Sequence, residues 1–134
     1  MVFDTMVLAY ALLKVSAFRE EAARAIEVAE AIWVPDSFRA ELTNVVWQWT
    51  SERGTDLDSG LSVLRDAEAL ISEVFPGNML WEEALALSIA RRHPAYDTLF
   101  IALAAIQSSK VVTYDAQLRK KFPEYTISAR EFIG

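Results

Sequence analysis

The amino-acid sequence predicts an α/β protein, a three-layer α/β/α sandwich on a central, mostly parallel sheet. Short runs dense in β-branched and aromatic residues, such as Val2-Phe3, Ile32-Trp33-Val34 and Lys110 to Tyr114, alternate with longer stretches of helical period. Strands separated by helices rather than by tight turns imply parallel pairing, with helices on both faces. The 134 residues, 53% of them hydrophobic, suit one domain over residues 1–134 and helices that are apolar on more than one side.

Each element follows from local pattern. Val2-Phe3 reads as a very short first strand ending at Asp4, and an apolar helix runs from about Thr5 to Leu13. Phe18 to Glu30 reads as an amphipathic helix with Ala22, Ala25, Ile26 and Ala29 on its inner face. Ile32-Trp33-Val34 forms a second strand stopped by Pro35, and Asp36 or Ser37 caps a long helix. Its apolar residues Phe38, Leu42, Val45, Val46 and Trp49 share one face. After the break at Gly54 to Asp56, the spacing of Leu61, Leu64 and Ile71 predicts a helix from Leu57 to Phe75. Pro76-Gly77-Asn78 reads as a turn and Met79-Leu80-Trp81 as a third strand. Glu82 to Arg92 and Tyr96 to Gln107 are helical, separated at Pro94. Lys110 to Tyr114 is a strand, Ala116 to Phe122 a short helix, and Tyr125 to Ile127 a last strand. No internal repeat, low-complexity tract or linker interrupts the series.

Composition removes several classes of chemistry. The absence of cysteine excludes disulfides, thiolate nucleophiles and sulfur-ligated zinc. The one histidine, His93, sits against Pro94, and most nucleophile–base pairs cannot be built from it alone. The four glycines, Gly54, Gly60, Gly77 and Gly134, are too scattered for a phosphate-cradling loop. A net charge of −6 argues against a general basic surface for nucleic acid, while leaving room for a local basic patch. No apolar run approaches the ~20 residues that span a bilayer. Asp4 interrupts the N-terminus before any signal-peptide pattern, so a cytoplasmic protein without membrane contacts is expected.

Polar catalytic chemistry must therefore come chiefly from carboxylates. Asp4 and Asp115 each follow a strand and open a helix, a position that a simple helix cap also explains. Asp97 begins an apolar helix, where the helix dipole alone would favour it. Glu41 lies three residues after Phe38 and four before Val45, on the inward face, where an ionised glutamate is costly unless paired or metal-bound. Asn44 follows one turn later. In parallel sheets, ligands sit beyond the carboxyl ends of the strands, near the point where strand order reverses. Two carboxylates ~5 Å apart repel by about 3 kcal/mol at an effective dielectric near 20. Four converging there would require protonation or cations, and an all-oxygen set suits Mg2+ or Mn2+.

The segments Val2 to Leu8, Glu41-Leu42-Thr43-Asn44, Tyr96 to Ala104 and Val112 to Leu118 resemble, in type and order, the four acidic motifs of PIN-domain nucleases. Chain length and motif order are similar to the VapC type, the toxin half of prokaryotic toxin–antitoxin pairs. The resemblance implies a PIN-like fold and a metal-dependent endoribonuclease in which Asp4, Glu41, Asp97 and Asp115 are the catalytic and metal-binding quartet. It further implies that Thr113 and Asn44 support the site, and that RNA, a cognate antitoxin protein and a second copy of the chain are partners. One position departs from the family pattern: Met6 stands two residues after the first aspartate, where a small polar residue is usual.

A cation that activates water needs no histidine base, in agreement with the composition. The expected substrate is single-stranded or structured RNA, with single strands favoured because no element for reading a duplex groove is evident. Lys14, Arg119, Lys120 and Lys121 are candidates for guiding phosphates. The alternative is a PIN-like binding module with impaired catalysis, for which Met6 is the main support and Trp47 and Trp49 are interface candidates. A homodimer is expected to use apolar surface on the helices Phe18–Glu30 and Phe38–Trp49.

Overall fold

The computed structural model describes residues 1–15 and 17–134. In chain order the elements are β1 (Val2–Phe3), α1 (Thr5–Leu12), α2 (Arg19–Val28), β2 (Trp33–Pro35), α3 (Phe38–Arg53) and α4 (Leu57–Leu70). There follow β3 (Glu73–Phe75), α5 (Trp81–Arg91), α6 (Ala95–Ile106), β4 (Val111–Val112), α7 (Ala116–Lys121), β5 (Thr126–Ile127) and α8 (Ala129–Ile133). Among the described residues the strands form one five-stranded sheet of order β3-β2-β1-β4-β5, and every pairing is parallel.

That order has a functional consequence. The chain steps outward from β1 to β2 to β3, then crosses back to place β4 on the other side of β1. Right-handed crossovers put the helices of the first steps on one face of the sheet and those of the return on the other. The reversal falls between β1 and β4, the place where this class of sheet opens a crevice at its carboxyl edge. Both strands are wholly buried, and α6 packs on β1, β2 and β4 with Phe100 to Ala104 inaccessible to solvent. On the opposite side α1 packs on α2, α3 and α4, and α2 in turn on α8.

The inward stripe of α3 is as the periodicity predicts: Phe38, Leu42 and Val46 are buried, with Val45 and Trp49 packed at its margin. The helix ends at Gly54, whose φ of 64° is the left-handed turn that glycine adopts without a Cβ penalty.

Two expectations are overturned. The helix predicted to run from Leu57 to Phe75 ends at Leu70, and Glu73–Phe75 is the third strand. The backbone leaves the helix because the sheet offers it partners. Ser72 N donates to Ile32 O at 2.9 Å, Ile32 N donates to Ser72 Oγ at 3.0 Å, and β3 then pairs with β2. The helical spacing that continues through Ile71 is a local preference overruled by these bonds. Conversely, Met79-Leu80-Trp81 is not a strand. Gly77–Met79 is a 3-10 turn and Trp81 opens α5. The exposed–buried–exposed alternation of Met79, Leu80 and Trp81 comes from that turn entering the helix, and it imitates a strand's period. The C-terminal helix α8, capped by the Ser128 hydroxyl on the Glu131 amide, lies beyond the last element the pattern predicts.

Candidate active site

Asp4 and Asp115 stand at the reversal point of the sheet. The Asp4 amide donates to the Val112 carbonyl at 3.0 Å, which pins the chain leaving β1 beside β4. Asp4 occupies the N-cap position of α1, yet its side chain caps nothing. Instead the fully buried Thr113 donates its hydroxyl to Asp4 Oδ2 at 2.7 Å, and the same hydroxyl oxygen accepts the Asp115 amide at 3.0 Å. One threonine ties the two aspartates together. Asp115 also serves as a helix cap: its Oδ1 accepts the Gln117 and Leu118 amides at 2.9 and 3.1 Å. Its Oδ2 lies outside that cap.

The other two acids arrive on helices. Glu41 lies in the first turn of α3, which packs against α1, and Thr5 donates its hydroxyl to Glu41 Oε2 at 3.2 Å. Glu41 Oε1 is buried and has no hydrogen-bond partner among the described residues. Asp97 lies in the first turn of α6, where its Oδ2 sits 2.7 Å from His93 Nε2. A carboxylate only accepts, so the imidazole nitrogen is the donor. Asp4, Glu41, Asp97 and Asp115 line one cavity of about 230 Å3. Met6, Tyr10 and Tyr114 complete its wall.

The electrostatics of this cavity are one-sided. Burial, with the Asp97 and Asp115 charges beside it, pushes the Asp4 carboxyl up to about 6, against the pull of the Thr113 hydroxyl. Burial and the charges of Asp4 and Asp97 push Glu41 up to about 7. Among the described residues, no lysine or arginine pairs with any of the four; the basic side chains form their ion pairs at Arg24–Glu27, Arg39–Glu68 and Arg91–Glu124. The donor set is oxygen, with one imidazole at its edge. Such a set suits a hard divalent cation, and the orphaned Glu41 Oε1 is an atom that a cation would satisfy.

His93 is the residue that sequence reasoning missed. Its side chain is buried edge-on against Phe122, and His93, Asp97 and Asp115 each present a ligand atom within 4.8 Å of the others. The His93–Asp97 spacing of four residues was the available signal, obscured by the intervening Pro94. The loop that carries His93 is fixed from outside: Arg91 donates to the Lys121 carbonyl at 2.9 Å and Lys121 Nζ donates to the Arg92 carbonyl at 2.6 Å.

The remaining candidates sit elsewhere. Asn44 is exposed and does not line the cavity. Neither do Lys14, Arg119, Lys120 and Lys121. Lys14 and Lys120 are exposed, Arg119 is half-buried with an Nε that has no partner among the described residues, and Lys121 is committed to Arg92. Trp49 is packed on the core while Trp47 is exposed. Of the helices expected to carry apolar surface for a dimer, α3 shows Trp47 and the start of α2 shows Phe18. A longer exposed stripe lies on α5 at Trp81, Leu85 and Ile89, flanked by Met79 and Tyr96.

Comparison with known proteins adds a family and a fold. The family model described as PIN domain matches residues 1–122. No curated protein matches the chain. Among solved structures, a toxin–antitoxin complex from Klebsiella pneumoniae is similar at 17% identity and a TM-score of 0.66, with 96% of each chain covered. A protein from Pyrobaculum aerophilum is similar at 18% identity and a TM-score of 0.68, over 98% of this chain and 90% of that one. A chain of VapBC2 from Rickettsia felis, bound to a DNA fragment from its promoter, is similar at 14% identity and a TM-score of 0.66, over 96% and 98%.

Proposed function

The chain belongs to the PIN-domain family, and from that premise we propose that it is a metal-dependent endoribonuclease of the VapC toxin type. One observation carries the reading: four acids, two following β1 and β4 and two in the first turns of α3 and α6, line a single cavity, and among the described residues no lysine or arginine pairs with them. Asp4, Glu41, Asp97 and Asp115 would hold Mg2+ or Mn2+. When bound, the cation supplies activation of water near neutral pH and stabilises charge on the leaving oxygen of a phosphodiester.

The chain's own residues do the positioning. Thr113 holds Asp4 and the Asp115 backbone in one register, Thr5 fixes one oxygen of Glu41, and His93 orients Asp97. The Thr5 and Thr113 hydroxyls favour the ionised form of the carboxylates they touch, against a burial that favours the protonated form. No histidine base is needed for this chemistry.

Residues 1–134 are read as one domain, with an antitoxin protein as partner; two of the similar structures are toxin–antitoxin assemblies, which supports that reading. The apolar stripe on α5 supports a homodimer. Among the described residues, no helix is long and apolar enough to cross a membrane.

A second reading, a PIN-like binding module without catalysis, is favoured by Met6, which lines the cavity where the family usually has a small polar residue. Metal titration combined with a cleavage assay separates the two. A single-stranded oligoribonucleotide cut in Mn2+ and left intact in EDTA supports the nuclease. Stabilisation by Mn2+ without any cleavage supports the binding module.

A further inference from the structure

The cavity is lined by side chains of two opposite characters. Four of them are carboxylates, and the other three are Met6, Tyr10 and Tyr114. Met6 and Tyr10 lie four residues apart on α1 and therefore on the same helix face, and Tyr114 directly precedes Asp115. Tyr10 and Tyr114 meet edge to face with centroids 5.3 Å apart. Phe18 supports both from behind, stacked on Tyr10 at 4.6 Å and tilted against Tyr114 at 4.9 Å. The three rings pack on one another, and two of them lie beside the carboxylates.

We propose that Tyr10 and Tyr114, with Met6, form a shelf that takes one nucleobase of a single-stranded RNA next to the phosphodiester held at the carboxylates. The proposal rests on the ribonuclease reading and adds to it a reason for single-strand selectivity. A nucleotide carries the two characters that complement this lining: an anionic phosphate for a cation that the carboxylates would hold, and a flat π-surface for the aromatic rings. Every base has a π-face, so stacking of this kind tolerates sequence. A base reaches an aromatic ring only when it is unstacked from its neighbours, which duplex pairing opposes. At about 230 Å3 the cavity is below the ~300–1,000 Å3 of clefts that take drug-sized ligands, a size suited to one base rather than a helix. Met6 acquires a role here: a polarisable thioether packs well against an aromatic ring face or edge, where a small polar residue would leave a gap.

The test is binding of a labelled single-stranded hexaribonucleotide, followed by fluorescence anisotropy in Ca2+, with an abasic residue introduced at each position in turn. The wild type should lose about 5- to 150-fold in affinity at one position, the range expected from one base–aromatic stack. Tyr10→Leu, which keeps apolar bulk at α1, should bind the intact hexamer correspondingly more weakly and no longer distinguish the abasic form. Tyr10→Phe should behave as wild type because the ring does the work. The shelf is overturned if abasic scanning is flat, if Tyr10→Leu discriminates as wild type does, or if Tyr10→Phe is as impaired as Tyr10→Leu. Cleavage of the same hexamer in Mn2+ separates the two proposals. A wild type that cleaves while abasic scanning is flat loses the shelf alone. A wild type that discriminates abasic from intact RNA without cutting it keeps the shelf and loses the nuclease, and one that neither binds nor cuts loses both.

Discussion

Glu41→Gln should stabilise the metal-free protein at pH 8 and do so less, or not at all, at pH 4.5. The Glu41 carboxyl is raised from 4.5 to about 7 by burial and by Asp4 and Asp97. Because the folded state holds this proton more tightly than the unfolded chain, the stabilisation it supplies is complete below pH 4.5. It is lost as pH rises through about 7. At 1.36 kcal/mol per pKa unit, ionised Glu41 costs the fold at most about 3 kcal/mol at pH 8. Glu41 is only partly buried, so solvent screening reduces this to roughly 1–2 kcal/mol. For a chain of this length that is a rise of roughly 5 °C in melting temperature. The assay is a thermal melt of both proteins in EDTA at the two pH values. The difference between pH values cancels any structural cost of the amide itself, including a misplaced donor at the buried Oε1 position. Mn2+ should reverse the order at pH 8 by stabilising the wild type more than the variant. If Glu41→Gln shifts the melt equally at both pH values, the carboxylate is not under electrostatic strain and the reasoning is refuted.

Other outcomes follow from the same geometry. Thr113→Val, nearly isosteric and fully buried, strips a donor from Asp4 and an acceptor from the Asp115 amide. It should lower stability by about 1–3 kcal/mol in urea denaturation, and an unchanged midpoint would deny the threonine its linking role. His93→Leu removes the donor to Asp97 and should weaken Mn2+ binding about 10- to 100-fold by calorimetry, with His93→Gln recovering part of the loss. Equal affinity in all three proteins would show that the imidazole only fills space.

How far the fold was legible depends on where local pattern and tertiary bonding agree. On α3 they agree: the apolar spacing from Phe38 to Trp49 marks the face that is buried, and Glu41 falls within it because three or four residues make about one turn. They also agree at β1 and β4, where an apolar pair runs into a polar residue at the carboxyl edge. They disagree at Ser72 to Phe75, where helical spacing persists but Ile32 across the sheet supplies the bonds that decide the conformation. No window confined to residues 57–75 contains that information.

The candidate site divides along the same line. Glu41 is visible in the chain because charge on an apolar face is conspicuous, whereas Asp4, Asp97 and Asp115 stand out only by their places at strand ends and helix starts. What tunes them is less visible: the resemblance points to Thr113 but not to its bond to Asp4 across 109 residues, Thr5 reaches Glu41 across 36, and the His93–Asp97 pair is hidden behind Pro94. The aromatic wall was hidden for another reason: Tyr10 and Tyr114 read as ordinary apolar positions until the fold sets them against the carboxylates. Reading Lys121 as a phosphate contact from its charge alone overlooked the Arg92 carbonyl that claims it.

The central claim, that these four carboxylates hold the cation at which RNA is cut, is tested most directly by the rate of cleavage of a single-stranded oligoribonucleotide across a Mn2+ titration, for wild type and Asp97→Asn. The account predicts a wild-type rate that rises from nothing in EDTA and saturates with Mn2+, and loss of cleavage in a folded Asp97→Asn whose metal-free melt is as high or higher. Cleavage that persists in EDTA, or an Asp97→Asn variant that cuts as fast as wild type at every Mn2+ concentration, would contradict it.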